Sequence, residues 1–533
     1  MQRHVQVSRL TQLYAKAIRL LLAAALFATL VLTATFVPVA RAAAITVTVT
    51  SDDNTVNGNC TLREAIIAAN TDAAVDACPA GNSADTLILP AGDYVLTIAG
   101  IGETAARTGD LNITDDVTIT GAGRLSTTID AGGIDRVFNI SGLVDVQISD
   151  VKITSGDSQG FVGGGIYLSS GTLTLSNSRL TNNTGSGAIY FASGALTVIN
   201  SRVDNNPTAG IVLGGTASAT ILNSDVSNNT TDFNGAGITN NSGGTLTVVN
   251  STVSGNSAGD NGGGISSLGT TSLFNVTISN NTANSDNDVY GDGGGVYVVS
   301  GTLTVRNSII AGNFDDNGTG FLYDDCSGTL VSEGYNLIEN PIGCTLVGDT
   351  TGNITGISAN LGPLQLNGGD TRTHALLAGS PAIDGGDPAN WCVDQDNNLL
   401  NTDQRGYVRN GLCDIGAYEY LSPGTPTPTR TFTPSLTPSR TSTPSLTPSR
   451  TATASPASSS TPTRTSTPSP TATRTPTATT TRTHTPGPSP TFTSSSTLTP
   501  TVAVSPTHTG TPAATATLAF TPGYWVCLPV VLK

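Results

Sequence analysis

An all-β fold is predicted for the 533-residue sequence: a single-stranded parallel β-helix solenoid with a short capping helix near its N-terminus and a disordered Thr/Pro-rich tail. Three observations carry that expectation: a repeat of 23 to 32 residues in mid-chain, period-two aliphatic patterning within each repeat, and Gly-rich segments between them. The composition agrees. With 60 Gly, 5% aromatic and 11% charged residues, the chain does not resemble an ordinary α/β enzyme; it suits short stacked strands joined by tight corners.

The repeat is anchored on Asn177, Asn200, Asn223, Asn250, Asn275 and Asn307, spaced by 23, 23, 27, 25 and 32 residues. Two positions earlier stands Leu175, Val198, Ile221, Val248, Leu273 or Val305, and three positions later Leu180, Val203, Val226, Val253, Ile278 or Ile310. A second Asn follows six positions on, at 183, 206, 229, 256, 281 and 313. Val146, Ile148, Asp150 and Ile153 form a weaker, earlier copy. One such unit cannot bury its apolar row alone, so the copies must stack as about seven coils. At about 4.8 Å per coil their core would be on the order of 35 Å long. The anchoring Asn residues are expected to form an amide ladder, because stacked amides both donate and accept, and to supply left-handed corners. Contact with sugars is the second reading of the same Asn side chains.

The segments Gly163–Ile166, Gly262–Ile265 and Gly293–Val296, followed by strands ending in Ser-Asn-Asn or Ser-Gly-Asn, resemble the right-handed β-helix repeats of pectate-lyase-like proteins. They also resemble the repeats of polymorphic outer-membrane adhesins, although the Phe of that motif is replaced by Leu180, Val203, Val226, Val253 and Ile278. The resemblance implies a right-handed coil, in keeping with the general preference for right-handed parallel crossovers.

Both ends of a solenoid need covering. Cys60-Thr61-Leu62-Arg63-Glu64-Ala65 resembles the CSLREA domain, and Thr61 with Glu64 forms a capping-box pattern for a helix ending near Asn70. Arg63 and Glu64 are adjacent and point apart, so they read as part of a cap with a salt bridge rather than a catalytic pair. Further on, Asn360–Gly369, Ser380–Gly386, Asp403–Gly406 and Cys413–Glu419 together resemble the choice-of-anchor Q domain, which implies surface display without a defined chemistry. The expected organisation is a signal peptide over 1–42, an N-terminal cap over 43–120, coils over 121–345 and a C-terminal cap over 346–420. A stalk over 421–522 and a short apolar tag over 523–533 complete it.

The signal-peptide reading rests on Arg3, Arg9, Lys16 and Arg19 before an uncharged run from Leu20 to Val39 and an Ala40-Arg41-Ala42 cleavage pattern. The run is also long enough for a transmembrane anchor, and either reading places the rest of the chain outside the cytoplasm. Cysteines 60 with 78, 326 with 344, and 392 with 413 are then expected to pair, leaving Cys527 over. All 38 acidic residues lie between 43 and 420 against 11 basic ones, a balance of −27 that excludes nucleic acid as a partner. The Thr/Pro/Ser tail has no core-forming residues and extends up to roughly 300 Å at about 3.1 Å per residue. It is expected to reach the cell envelope, with its Thr and Ser as O-glycosylation candidates.

The catalytic inventory is poor. Lyases of this resemblance imply a Lys or Arg base beside calcium-holding carboxylates, yet Lys152 is the only Lys between the signal region and the terminal Lys533, and Arg179, Arg202 and Arg306 fall at outward coil positions. His374 is the only His in the expected folded region, and Asp315-Asp316 and Asp324-Asp325 read as solvated loop carboxylates. A calcium loop is the candidate metal site, with Asp394, Asp396, Asn398 and Asp403 as oxygen ligands at near-alternate positions. Tyr167, Tyr190 and Tyr297 follow coil-start Gly residues and offer a stripe for stacking on sugars. The expected function is therefore a cell-surface adhesion, glycan-binding or structural protein without a required cofactor. Polysaccharide cleavage as a lyase or glycoside hydrolase in the coil groove is the alternative.

Overall fold

The computed structural model describes residues 43–286, 291–316, 321–389, 392–409 and 411–421, with the backbone alone for 321–323. The chain divides into two units, Met1–Ser439 and Arg440–Lys533, and all described residues belong to the first. The signal peptide, the tag, Cys527 and, apart from residue 421, the stalk lie outside the described residues.

Alternation of aliphatic and polar residues produces the coil. In Thr245–Val249, Leu246 and Val248 point inward and are fully buried, while Thr245 is exposed. Each such strand pairs in parallel with its equivalents one coil away. One inward column runs Ile45, Leu87, Ile119, Ile148, Leu175, Val198, Ile221, Val248, Leu273 and Val305, every member fully buried. Burial of each stabilises the stack by about 1.5–3 kcal/mol relative to exposure. A corner separates this wide 18-stranded sheet from a narrow 11-stranded sheet of three-residue strands such as Thr252–Ser254. A third sheet of five very short strands, including Ser257–Ala258 and Phe314–Asp316, leads to the next coil. The architecture is a right-handed parallel β-helix.

The stack is longer than the Asn pattern implies. It begins at Ala44–Thr46, inside the segment expected as an N-terminal cap, and continues to Cys344–Asp349 and Ile354–Thr355. The early coils carry the aliphatic column without the Asn marker, which hides them from a motif search. The helix Leu62–Thr71 closes the N-terminal end, packing Leu62, Ala65 and Ile66 into the core, and its capping box is complete. Arg63 is fully buried, and its salt bridge runs to Asp52 at 2.6 Å rather than to Glu64, with further bonds to the carbonyls of Ala106 and Gly109. Disulfides join Cys60 to Cys78, Cys326 to Cys344 and Cys392 to Cys413.

The Asn expectation needs correction. Asn177, Asn200, Asn223, Asn250, Asn275 and Asn307 all have left-handed backbones, with φ between 47 and 56°, and so form the corners. Only Asn250 to Asn223 and Asn307 to Asn275 are amide-bonded, each at 2.7 Å. The continuous ladder is the second column: Asn183, Asn206, Asn229, Asn256, Asn281 and Asn313 each donate from Nδ2 to the next side chain, and Asp325 ends the series. Each Nδ2 also reaches an inward-strand carbonyl, such as that of Val226 for Asn256. A parallel serine ladder, unseen in the sequence, runs through Ser178, Ser201, Ser224 and Ser251, each hydroxyl accepting from a neighbouring coil's amide.

The corner Asn column is a docking rail. The segment after 356 does not cap the C-terminal end of the stack as expected; it folds back along the side of the coils. Thr371 binds the carbonyl of Asn223, Arg409 binds Asn250 Oδ1, the Val393 carbonyl accepts from Asn275, and the Asp414 carbonyl accepts from Asn307. The reason is physical: a left-handed corner leaves side-chain amide and backbone groups outside the strand ladders, and the returning chain satisfies them. A second core forms beneath it from Ile309, Ala311 and Leu337 of the narrow sheet with Leu376, Ala382 and Ile415.

Candidate functional site

The returning segment covers the rail and part of the narrow sheet, leaving the corner between the third and wide sheets open. Coil-start glycines shape that corner. Gly163 has φ +72°, and a Cβ there would meet the Ile166 carbonyl at 2.6 Å, so no other residue fits without movement. Just beyond it, Ile166 and Leu168 point inward and Tyr167 outward. Tyr190 is the register partner of Tyr167 one coil on, with ring centroids 6.2 Å apart. The guanidinium of Arg136 lies 5.3 Å from the Tyr167 ring centroid and 5.6 Å from that of Phe161, which is 58% exposed. Arg136 is held by Asp110 at 3.0 Å and by the Val162 carbonyl at 3.0 Å.

The outward column continues from Tyr190 to Val212 and Thr239, which floor a cavity of about 520 Å³. Its walls are Gly185–Gly187, Pro207–Ala209 and 230–234, with the exposed Phe233 among them. Tyr297 does not extend the aromatic pair. Its register partner is Ser266, which follows Thr239, so three non-aromatic coils intervene. Phe161, Phe233 and Arg136 were not singled out in the sequence. Each Phe stands two residues before a left-handed glycine, Gly163 or Gly235, and that spacing was the available signal.

The expected calcium loop is not assembled. Asp403 is buried and spent on Arg405 (2.5 Å) and on the amides of Arg405, Tyr407 and Glu419. Asp394 Oδ1 accepts from the amides of Asp396 and Asn398, which makes the loop a hydrogen-bonded turn. Among the described residues, the three-carboxylate cluster is instead Asp292, Asp315 and Asp324. Asp315 and Asp325 are not solvated loop acids, being 5% and 1% exposed. The candidate bases are placed away from chemistry too. Arg179 and Arg202 both bind Asp204, and Arg306 binds Asp387. His374, 1% exposed, contacts the Gly362 carbonyl through Nδ1 (2.7 Å) and Ser254 Oγ through Nε2 (2.8 Å). The carbonyl can only accept, so Nδ1 carries the proton and Ser254 donates to Nε2. Burial holds the imidazole below its ordinary value, and this Ser–His unit pins the returning segment.

Burial pushes Asp110, Asp324, Asp325 and Asp414 up to about 6. A carboxyl raised on folding contributes stability that is complete below its unfolded value near 4 and is lost as pH rises through about 6. The lowered His374 acts in the opposite sense, but a single imidazole faces four carboxyls. The melting temperature is therefore expected to rise as pH falls from 7.5 to 5, and a steady fall across that window would contradict the burial of these acids.

The described residues thus define a right-handed parallel β-helix with an open aromatic groove along one corner. The family described as Right handed beta helix region matches residues 114–283. Among solved structures the chain is similar to the crystal structure of pectate lyase Pel9A, at 15% identity over 72% of this chain and 98% of that one, with a TM-score of 0.39. It is also similar to the A-module of the Azotobacter vinelandii mannuronan C-5 epimerase AlgE4, at 14% identity over 57% of this chain and 95% of that one, with a TM-score of 0.29. No curated protein matches the chain. At these values the two likenesses transfer neither a residue nor a reaction.

Proposed function

We propose that the protein is a secreted, surface-displayed β-helix that binds a neutral polysaccharide along the groove from Phe161 to Phe233. The observation that carries this reading is the Tyr167–Tyr190 pair on adjacent coils, flanked by Arg136 and followed in register on the next coil by Val212, on the floor of the 520 Å³ cavity. Flat aromatic faces at one rung of spacing suit the apolar faces of successive sugar rings, and the polar cavity walls suit their hydroxyls. Neutral glycan is favoured because Asp110 cancels the Arg136 charge and the −27 balance of residues 43–420 repels polyanions. Binding is favoured over cleavage because Asp232 is the only ionisable residue among the described cavity-lining residues, and glycosidic hydrolysis by paired acids needs two. Display is supported by the export-type N-terminus, the three disulfides and the Thr/Pro-rich tail.

A glycan array probed with the full chain is expected to light up neutral polymers. Tyr190→Ala should weaken binding tenfold or more, about 1.4 kcal/mol, with an unchanged melting temperature. Equal binding by Tyr190→Ala and Tyr167→Ala proteins would reject the groove. Cleavage is the second reading, favoured by Asp324 being poised near 6 beside Asp315. Release of reducing ends or unsaturated products from a bound polymer would establish it.

A further inference from the structure

Three stretches of chain meet where a coil corner changes from amides to acids. Asn261 donates from its backbone amide (3.0 Å) and from Nδ2 (2.9 Å) to Asn234 Oδ1, and the amide of Asp292 donates to Asn261 Oδ1 (2.8 Å). The column Asn234, Asn261, Asp292 therefore passes from residues that donate to one that, ionised, only accepts. Asp315 comes from the third sheet and Asp324 from the approach to the next coil. Oxygen atoms of Asp292, Asp315 and Asp324 lie within 4.8 Å of one another.

Crowded surface acids alone would mean little, but this cluster has buried oxygens with nothing to bind. Asp315 is 5% exposed, and among the described residues its Oδ1 accepts no hydrogen bond; Asp324 Oδ1 is likewise buried without a hydrogen-bond partner among them. The rest of each carboxylate is engaged, Asp315 with Asn284, and Asp324 with the Cys326 amide and, through Oδ2, with the Gly293 amide at 3.2 Å. The charges facing Asp315 are those of Asp292 and Asp316, and those facing Asp324 belong to Asp292 and Asp315, so like charges press on both. A buried ionised oxygen without a donor is strongly disfavoured unless a proton or a cation meets it.

The geometry points to a divalent-cation site at Asp292, Asp315 and Asp324, taken by a hard, oxygen-seeking ion of the calcium type, with water completing its coordination. Carboxylate oxygens are the ligands such an ion prefers, and three of them exceed its charge, so it is held by net attraction. Asp292 is exposed and gives the ion an entry side, while Asp315 forms the inner wall. The ion ties the third sheet to the corners on either side of the coil that starts at Gly293. This inference is independent of the groove-binding reading, because neither its site nor its readout involves the Tyr167–Tyr190 groove.

The test is thermal unfolding of the full chain after chelator treatment, titrated with calcium chloride at pH 7.5. Calcium is expected to raise the melting temperature by about 2–4 °C at saturating concentration. Asp315→Asn and Asp292→Asn should each abolish the rise; the exposed Asp292 keeps the test open if Asp315→Asn fails to fold. Asp292→Lys, which supplies a tethered cation, should be calcium-insensitive and at least as stable as the calcium-free parent. Asp396→Ala should retain the full rise. No rise in the parent, or a rise that survives in Asp292→Asn, overturns the site. A rise lost in Asp396→Ala would move it to the 394–398 turn and overturn it equally.

Discussion

Asn256→Ala is expected to destabilise the solenoid by roughly 3–6 kcal/mol. The fully buried Asn256 accepts from the backbone amide (3.0 Å) and Nδ2 (3.0 Å) of Asn229, and donates to the Val226 carbonyl (3.0 Å) and Asn281 Oδ1 (2.9 Å). Truncation strands the Asn229 backbone amide in a dry interior, at about 1–3 kcal/mol, and removes one bond each, about 0.5–1.5 kcal/mol, from Asn229 Nδ2, which keeps the Val203 carbonyl, from the Val226 carbonyl, and from Asn281 Oδ1, which keeps the Asn256 backbone amide. The control is Asn200→Gly, since Asn200 is a corner residue at φ 48° and Gly takes that conformation freely. Guanidinium melts of the two proteins should show a large drop in midpoint for Asn256→Ala and a shift of under about 1 kcal/mol for Asn200→Gly. Equal midpoints would mean that the second column is not the axial support described above.

Arg372→Met is the second large effect, expected to be about 3–5 kcal/mol and to fall first on the returning segment. Arg372 reaches from that segment to Asp225 (2.7 Å) and Asp204 (2.9 Å), whose side chains are fully buried. Asp204 would keep Arg179 and Arg202, but the only cation left to Asp225 would be Arg202 at the longer 3.5 Å, beside the Ser227 hydroxyl that donates to its Oδ1. The destabilisation is mainly an uncompensated buried carboxylate, so adding Asp225→Asn should recover part of it. Limited proteolysis reads the locality: cleavage between 356 and 420 should appear in Arg372→Met before the coils are attacked. A cleavage pattern identical to the parent's would show that the ion pairs do not hold the segment in place.

The coils were legible because their information is local and repeated. Leu175, Val198, Ile221 and their equivalents mark the inward row by spacing alone, and the Thr61–Glu64 capping box marks the helix within four residues. The coils before Val146 were missed because Leu87 and Ile119 lack the Asn corner that makes later copies recognisable. Choosing between the two Asn columns was also beyond a one-dimensional pattern. Both recur at the same interval, and only the backbone twist shows that the residues six positions later turn inward to stack. The docking of the returning segment left one overlooked trace. Lys152, Arg179, Arg202, Asp225, Thr252 and Thr277 occupy one outward column, which then becomes Ile309 and Leu337. An apolar pair on an outward face requires a cover.

The candidate sites divide in the same way. Tyr167 and Tyr190 were visible beside their glycines, since position in a repeat states which way a side chain faces. The partners Arg136 and Phe233 sit on loops, and Phe161 on the irregularly paired strand Asp157–Val162, whose placement no period describes. Asp394, Asp396 and Asp403 looked like ligands because they are close in sequence, yet Arg405 claims Asp403. Asp292, Asp315 and Asp324 converge from positions up to 32 residues apart because successive coils lie one above another. By itself the sequence determined the solenoid, its inward row and its capping helix, all of which depend on neighbours in the chain or one repeat away. Only the tertiary structure decided which Asn column carries the ladder, where the C-terminal segment lies and which acids meet, because stacking and the fold-back set those distances through space.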